Sequence, residues 1–175
     1  LTNLLASPEW SKRKGSLPCC PAIDVYGNPV VFDIADLPHI IIAGTTGSGK
    51  SVFMNAMLLS LMASGADFRL IIADGKGEDF APHYARSSRL MQDMTDDSGD
   101  IPAIATDAET IKRQVLWITA EMDSRFATGS KPYPIIFVTD ELADIVMQDG
   151  KDRAITKAIA RISQKEKKKK ISMML

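Results

Sequence analysis

A chain of 175 residues, 45% hydrophobic and 25% charged, has the composition of an ordinary soluble globular protein and enough length to bury one core. Its 21 Lys and Arg nearly balance 22 Asp and Glu, a net charge of -1. That balance excludes a surface-wide basic field, so any nucleic-acid contact must be local. No apolar run approaches the ~20 residues needed to span a bilayer, and the opening "LTNLLASPEW" lacks the basic-then-apolar order of a signal peptide. Cys19 and Cys20 are neighbours, which seldom pair and suit a reducing compartment; a cytoplasmic location is expected.

Residues 1–20 read as a short N-terminal helix and a polar linker, punctuated by Ser7, Pro8, Gly15, Ser16 and Pro18, with a core over 21–175. "AIDVYGNPVVFDI" predicts two short strands around a Gly27-Asn28 turn. "HIIIAG" predicts a continuous apolar strand of the kind buried on both faces of a parallel sheet. The segment Ser51 to Met62 follows as a helix that is apolar almost all round and is expected to be buried. Phe68 to Asp74 is a second buried strand. From Thr110, the spacing of Ile111, Val115, Ile118 and Met122 predicts an amphipathic helix. Tyr133 to Asp140 is a third strand, Ile155, Ile159 and Ile162 stripe a last helix, and "ISMML" begins a fourth strand. Buried strands alternating with helices predict an α/β fold: a mostly parallel sheet, helices on both faces, preceded by a small helix and β-hairpin. The last strand is cut off, so an incomplete sheet is expected.

"GTTGSGKS", Gly44 to Ser51, fits the phosphate-loop pattern G-x-x-x-x-G-K-[ST] between a strand and a helix. Gly44, Gly47 and Gly49 let the backbone wrap a phosphate, while Thr45, Thr46 and Ser48 contribute N–H groups more than side chains. Lys50 can reach the β- and γ-phosphates and the Ser51 hydroxyl can ligate Mg²⁺. The apolar strand "IIFVTD" ends in Asp140-Glu141. There Asp140 can hold the Mg²⁺ shell through water, and Glu141 can polarise a water for attack on the γ-phosphate. Both acids can also cap a following helix. The reading is an ATP site with Mg²⁺, built for hydrolysis; a small-molecule kinase would not need Glu141, and no acceptor-site pattern is visible.

These residues resemble the FtsK/SpoIIIE branch of ring-forming DNA-pumping ATPases. "GNPVVFDIADLPHIIIAGTTGSGKSVFMNAML" looks like that family's hairpin, Pro-His step, phosphate loop and first helix; "LWITAEMDSRF" is similar to its Trp-x-x-x-Glu-Met-x-x-Arg-aromatic helix; "IIFVTDELADIVM" and "RISQKEKKKKISMML" resemble its second acidic motif and the helix and strand that follow. The resemblance implies a RecA-like P-loop core that works as a homo-oligomer, a hexameric ring when complete, and translocates double-stranded DNA in segregation or conjugative transfer. It implies Lys50 and Ser51 for phosphate and Mg²⁺, Asp140 for Mg²⁺ water, and Glu141 as catalytic base. Membrane-anchored or secretion-machinery partners would attach through parts outside this chain. Pro38 and His39 match the step into the loop, where His39 reads better as a packed or capping histidine.

The sequence departs from the family pattern in four places. "DGKGEDF" from Asp74 replaces Asp-Pro-Lys and is closer to plasmid, conjugative-element or secretion relatives; Lys76 there reads equally as a nucleotide or neighbour contact and as a solvated lysine. The long insertion after the Glu-Met helix is reduced to "ATGSKPY". "KEKKKK" lacks the glycine that normally ends its helix, and reads as a solvated basic cap before a DNA contact. The Thr-Gln sensor and trans-acting arginine that follow in the family are not in this chain, so as given it is expected to bind nucleotide and hydrolyse it poorly. Lys151 and Arg153 lie where relatives place a DNA-gripping pore loop, with a solvated turn as the equal alternative. Two rival functions stay open: an FtsK-like ATPase that drives protein secretion, and a non-catalytic module in which ATP only holds subunits together.

Overall fold

A computed structural model describes residues 1–37, 39–45, 47–130, 133–140, 146–147, 153–164 and 170–175. The chain opens with two helices of one turn each, α1 (Thr2–Leu5) and α2 (Pro8–Ser11), instead of one. Ala6 ends the first and Ser7 caps the second, the Ser7 hydroxyl oxygen accepting from Trp10 N at 3.1 Å, with Pro8 at the first helical position. Strand β1 (Pro18–Ile23) starts earlier than the sequence suggests and pairs antiparallel with β2 (Pro29–Asp33). Asp24 sets the turn between them: its Oδ1 accepts from the backbone N–H groups of Tyr26 and Asn28, and Gly27 takes φ 87°. Cys19 and Cys20 are buried free thiols in β1 rather than in a linker. Burial first, then the neighbouring Cys20 and Asp33 charges, pushes the Cys19 thiol up to about 12, which makes it chemically inert at neutral pH.

Among the described residues the main sheet has five strands, all parallel: β3 (His39–Ile40), β4 (Arg69–Ala73), β7 (Ile104–Ala105), β8 (Ile135–Thr139) and β9 (Ile171–Met174). A small ribbon, β5 (Thr95–Asp96) with β6 (Gly99–Asp100), precedes β7. The spatial order is β3-β9-β8-β4-β7. Alternation along the central strands serves two cores. Leu70 and Ile72 of β4 and Ile136 and Val138 of β8 face α3 (Lys50–Ala63) and the hairpin. Ile71 and Ala73, with Ile135 and Phe137, face α5 (Ala108–Thr128) and α6 (Ala154–Gln164). The short helix α4 (Ala81–Tyr84) joins the first core through Phe80 and Tyr84. No helix among the described residues is long and apolar enough to cross a membrane.

Two burial expectations need correction. The "HIIIAG" strand is not covered on both faces, for Ile41 is 78% exposed. Among the described residues β3 is an edge strand, paired with β9 alone and continued by Ile42 N donating to Leu175 O at 2.8 Å. Helix α3 buries Met54, Met57, Leu58 and Leu61 but leaves Val52 and Leu59 exposed, because the sheet and hairpin cover only part of its circumference. His39 is a packed histidine, as expected: burial holds its imidazole below the usual value, partly offset by the Ile162 carbonyl, although no hydrogen bond of good geometry reaches either ring nitrogen.

The motif helix α5 has a structural task. Asp107 caps it, accepting from Thr110 N at 2.9 Å, and Gly129 at φ 69° ends it. Arg125, 1% exposed, donates from Nε to Glu121 Oε1 at 2.7 Å and from Nη1 to the Tyr133 carbonyl at 3.2 Å. The Glu-Met-x-x-Arg spacing therefore ties the end of α5 to the residues that lead into β8.

The run Lys165 to Lys169 lies outside the described residues. Lys170, at its end, takes φ 57°, a left-handed backbone that favours glycine, while its carbonyl accepts from Ile135 N at 2.8 Å. Lys170→Gly should raise stability by about 0.5–1 kcal/mol, since a non-glycine residue in that region costs about 1–2 and glycine's freedom in the unfolded chain offsets part of the gain. Urea denaturation measures it; an unchanged or lower midpoint would show that this backbone stores no strain.

Candidate nucleotide site

All five strands run the same way, so the turns after β3, β4 and β8 open on one edge of the sheet. Strand β3 passes into α3 through the loop from Ile41 to Gly49. A Cβ at Gly44 would lie 2.3 Å from Ser48 Oγ, so that exposed hydroxyl would have to turn aside. Gly49, at φ 92°, is the N-cap of α3 and, having no side chain, makes no capping bond to the N–H groups of the first helical turn. Those donors and the helix dipole face the loop's concave side, which is an anion-binding arrangement. Thr46 lies outside the described residues.

Gly44, Thr45, Gly47, Gly49, Lys50 and Ser51 share a cleft of about 530 Å³ with Asp140 at the end of β8 and with Lys76 and Asp79 from the turn after β4. Lys50 Nζ lies 3.0 Å from Asp140 Oδ1 and donates to the Asp140 carbonyl oxygen at 2.5 Å. The phosphate-loop lysine and the strand-end acid, 90 residues apart in sequence, are thus brought into contact. Asp140 is 9% exposed, and its Oδ1 meets the ammonium as an ion pair but receives no hydrogen bond of good geometry. A buried carboxylate paired with Lys50, lining one cleft with Ser51 and a phosphate-shaped loop, fits a water of a Mg²⁺ shell. Glu141, next along the chain, lies outside the described residues, as does Lys151. Arg153 is exposed and its carbonyl accepts from Lys157 N at 3.0 Å, which puts it at the N-terminal entry to α6.

Asp79 is the site residue that sequence reasoning missed. It lines the cleft together with Ser51 and Asp140. Burial first, then the Asp140 carboxyl, raises its pKa from the ordinary carboxylate value, while Ser51 opposes the shift. The turn that delivers it is built by Asp74, whose Oδ1 accepts from Gly77 N at 3.0 Å and whose Oδ2 accepts from Phe80 N and Ala81 N, both at 2.9 Å. Asn55 of α3 then donates to the Asp79 carbonyl at 3.2 Å and to the Ser51 carbonyl at 3.0 Å, and accepts from Tyr84 Oη at 2.9 Å. The available signal was an acid shortly after a strand's carboxyl end, on the ligand-binding edge. In "DGKGEDF" that acid looks like any solvated loop carboxylate.

Against known proteins, residues 1–130 match the FtsK/SpoIIIE family. The chain is 34% identical over 175 residues to the DNA translocase FtsK of Helicobacter pylori strain J99, covering 94% of this chain and 20% of that protein. It is 30% identical over 188 residues to the DNA translocase SftA of Bacillus subtilis strain 168, covering 94% of this chain and 18% of that protein. The chain therefore spans about a fifth of the length of the curated relatives it matches. In fold it resembles the pCW3 conjugation coupling protein TcpA, solved with ATPγS, at TM-score 0.63 and 19% identity over 93% of this chain and 49% of that one. It also resembles ATPases 2 and 3 of Thermomonospora curvata EccC at TM-score 0.69 and 14% identity, over 92% of this chain and 29% of that one. The core is thus an α/β P-loop ATPase fold of RecA-like type.

Proposed function

Because the chain belongs to the FtsK/SpoIIIE family, we propose that it is the ATP-hydrolysing core of a ring-forming motor that moves double-stranded DNA in segregation or conjugative transfer. The observation that carries the chemistry is the convergence of Lys50, Ser51 and Asp140 on one glycine-lined cleft. The loop N–H groups and the start of α3 cradle the phosphates, and Lys50 exchanges part of its contact with Asp140 for the β- and γ-phosphates. Ser51 Oγ and, through water, Asp140 hold Mg²⁺, which neutralises charge on the phosphates when bound. Glu141 is the base that takes the proton of the attacking water. Arg153, with Lys151, offers cations for DNA phosphates at the entry to α6.

DNA as the transported polymer is supported by the 34% and 30% identity to DNA translocases. A motor that drives protein secretion is the second reading, supported by the Lys76-bearing turn and by the likeness in fold to EccC. Steady-state ATP hydrolysis with and without double-stranded DNA, using the protein at its full natural length and its Glu141→Gln variant, separates the two. DNA stimulation that is lost in the variant is expected. Hydrolysis indifferent to DNA would transfer the case to protein transport.

A further inference from the structure

The turn after β4 brings a second carboxylate to the metal-facing corner of the cleft. Asp79, Asp140 and Ser51 line one cleft, so two acids and a hydroxyl converge where the phosphate loop becomes α3. Like charges so close repel, and Lys50 is paired with Asp140. The turn nonetheless holds Asp79 in place with unusual care. Asp74 is 1% exposed and takes three backbone N–H groups of the turn, and Asn55 bonds the Asp79 and Ser51 carbonyls with one amide. A carboxylate held beside another, with one ammonium paired to Asp140, fits a cation and its waters better than it fits the turn's own stability.

We propose that Asp79 is a third anchor of the Mg²⁺ shell, a positioning residue that would accept from a metal-bound water and orient the Ser51 hydroxyl. Mg²⁺ keeps several waters and takes few direct protein ligands, so carboxylates that bind it through water are the expected partners. The inference rests on the nucleotide-site reading above. It extends that reading to a residue from a third loop, so the site is assembled from the turns after β3, β4 and β8 together.

The sign of the effect is distinctive. Without metal, a carboxylate beside the triphosphate repels it; with metal, the same carboxylate supports binding. Asp79→Asn should therefore tighten ATPγS binding in EDTA, while the gain in affinity on adding Mg²⁺ shrinks about tenfold, the lower end of what outer-shell metal partners are worth. Asp79→Glu should recover part of that gain. Titration calorimetry of ATPγS into wild type and both variants, in EDTA and in Mg²⁺, reads all of these. A Mg²⁺ gain in Asp79→Asn equal to that of wild type would overturn the proposal, and so would a parallel loss of affinity in both conditions, which would make Asp79 part of the turn's framework only. If wild type itself bound ATPγS with no Mg²⁺ gain, the nucleotide-site reading would fail, and the Asp79 role with it. A Mg²⁺ gain in wild type that is retained in Asp79→Asn rejects the Asp79 role alone.

Discussion

Lys50→Ala should weaken ATPγS binding by about 100-fold, roughly 2.7 kcal/mol, within the range for hydrogen bonds to charged groups. Lys50 is the cation at the mouth of α3, its side chain 24% exposed and its ammonium 3.0 Å from Asp140 Oδ1. Alanine removes the charge that meets the phosphates and leaves Asp140, whose side chain is 8% exposed, without its counter-ion. Both losses weaken an anionic ligand, the second because an uncompensated carboxylate repels it. The fold should survive, for Lys50 contributes no atoms to either hydrophobic core. Lys157→Ala, an exposed lysine on α6, serves as the control for loss of one positive charge. Fluorescence titration with a labelled nucleotide gives the ratio directly. An affinity within about threefold of wild type would remove Lys50 from the phosphate site.

The second large effect concerns folding. Arg125→Ala should cost about 3 kcal/mol, the range for breaking a buried charge pair from one side. Three things are lost together: the Nε bond to Glu121 at 2.7 Å, the Nη1 bond to the Tyr133 carbonyl at 3.2 Å, and the guanidinium's contact with the Tyr133 ring at 5.8 Å. Glu121, 26% exposed at its side chain, is left with a partly buried charge. For a domain of this size the melting midpoint should fall by roughly 6–12 °C, at 2–4 °C for each kcal/mol. Arg125→Lys should lie between the two, since an ammonium can pair with Glu121 but does not reproduce the planar fork that serves the carbonyl as well. Thermal unfolding measures all three forms. A midpoint within about 1 °C of wild type for Arg125→Ala would mean that α5 and β8 are joined by apolar packing alone.

What was legible in the sequence was what local pattern determines. Leu70 to Ala73 and Ile135 to Thr139 read as buried strands because both faces of each are covered, and Ile111, Val115, Ile118 and Met122 read as a helix stripe because one face is. The phosphate loop was legible for the same reason: its glycines, lysine and serine sit within eight consecutive positions. Strand β7 was not foreseen, since two residues, Ile104 and Ala105, leave no periodicity to read. The exposure of Ile41 was not foreseen either, because the edge position of β3 is a property of strand order, and an apolar run reads alike at an edge and at a centre. Asp79 marks the limit more sharply. Its place depends on Asp74 folding the turn back on itself and on Asn55 holding that turn against α3, the latter through a bond across 24 residues that no spacing rule contains.

The most direct measurement is displacement of a third-strand oligonucleotide from a linear DNA duplex by the protein at its full natural length. A DNA motor built on this site strips the oligonucleotide only when ATP and Mg²⁺ are present, after a delay that lengthens with its distance from the DNA end, and Lys50→Ala and Glu141→Gln abolish release. Release that needs no ATP, or no release beside brisk ATP hydrolysis, would contradict translocation of DNA as the work to which this site is coupled.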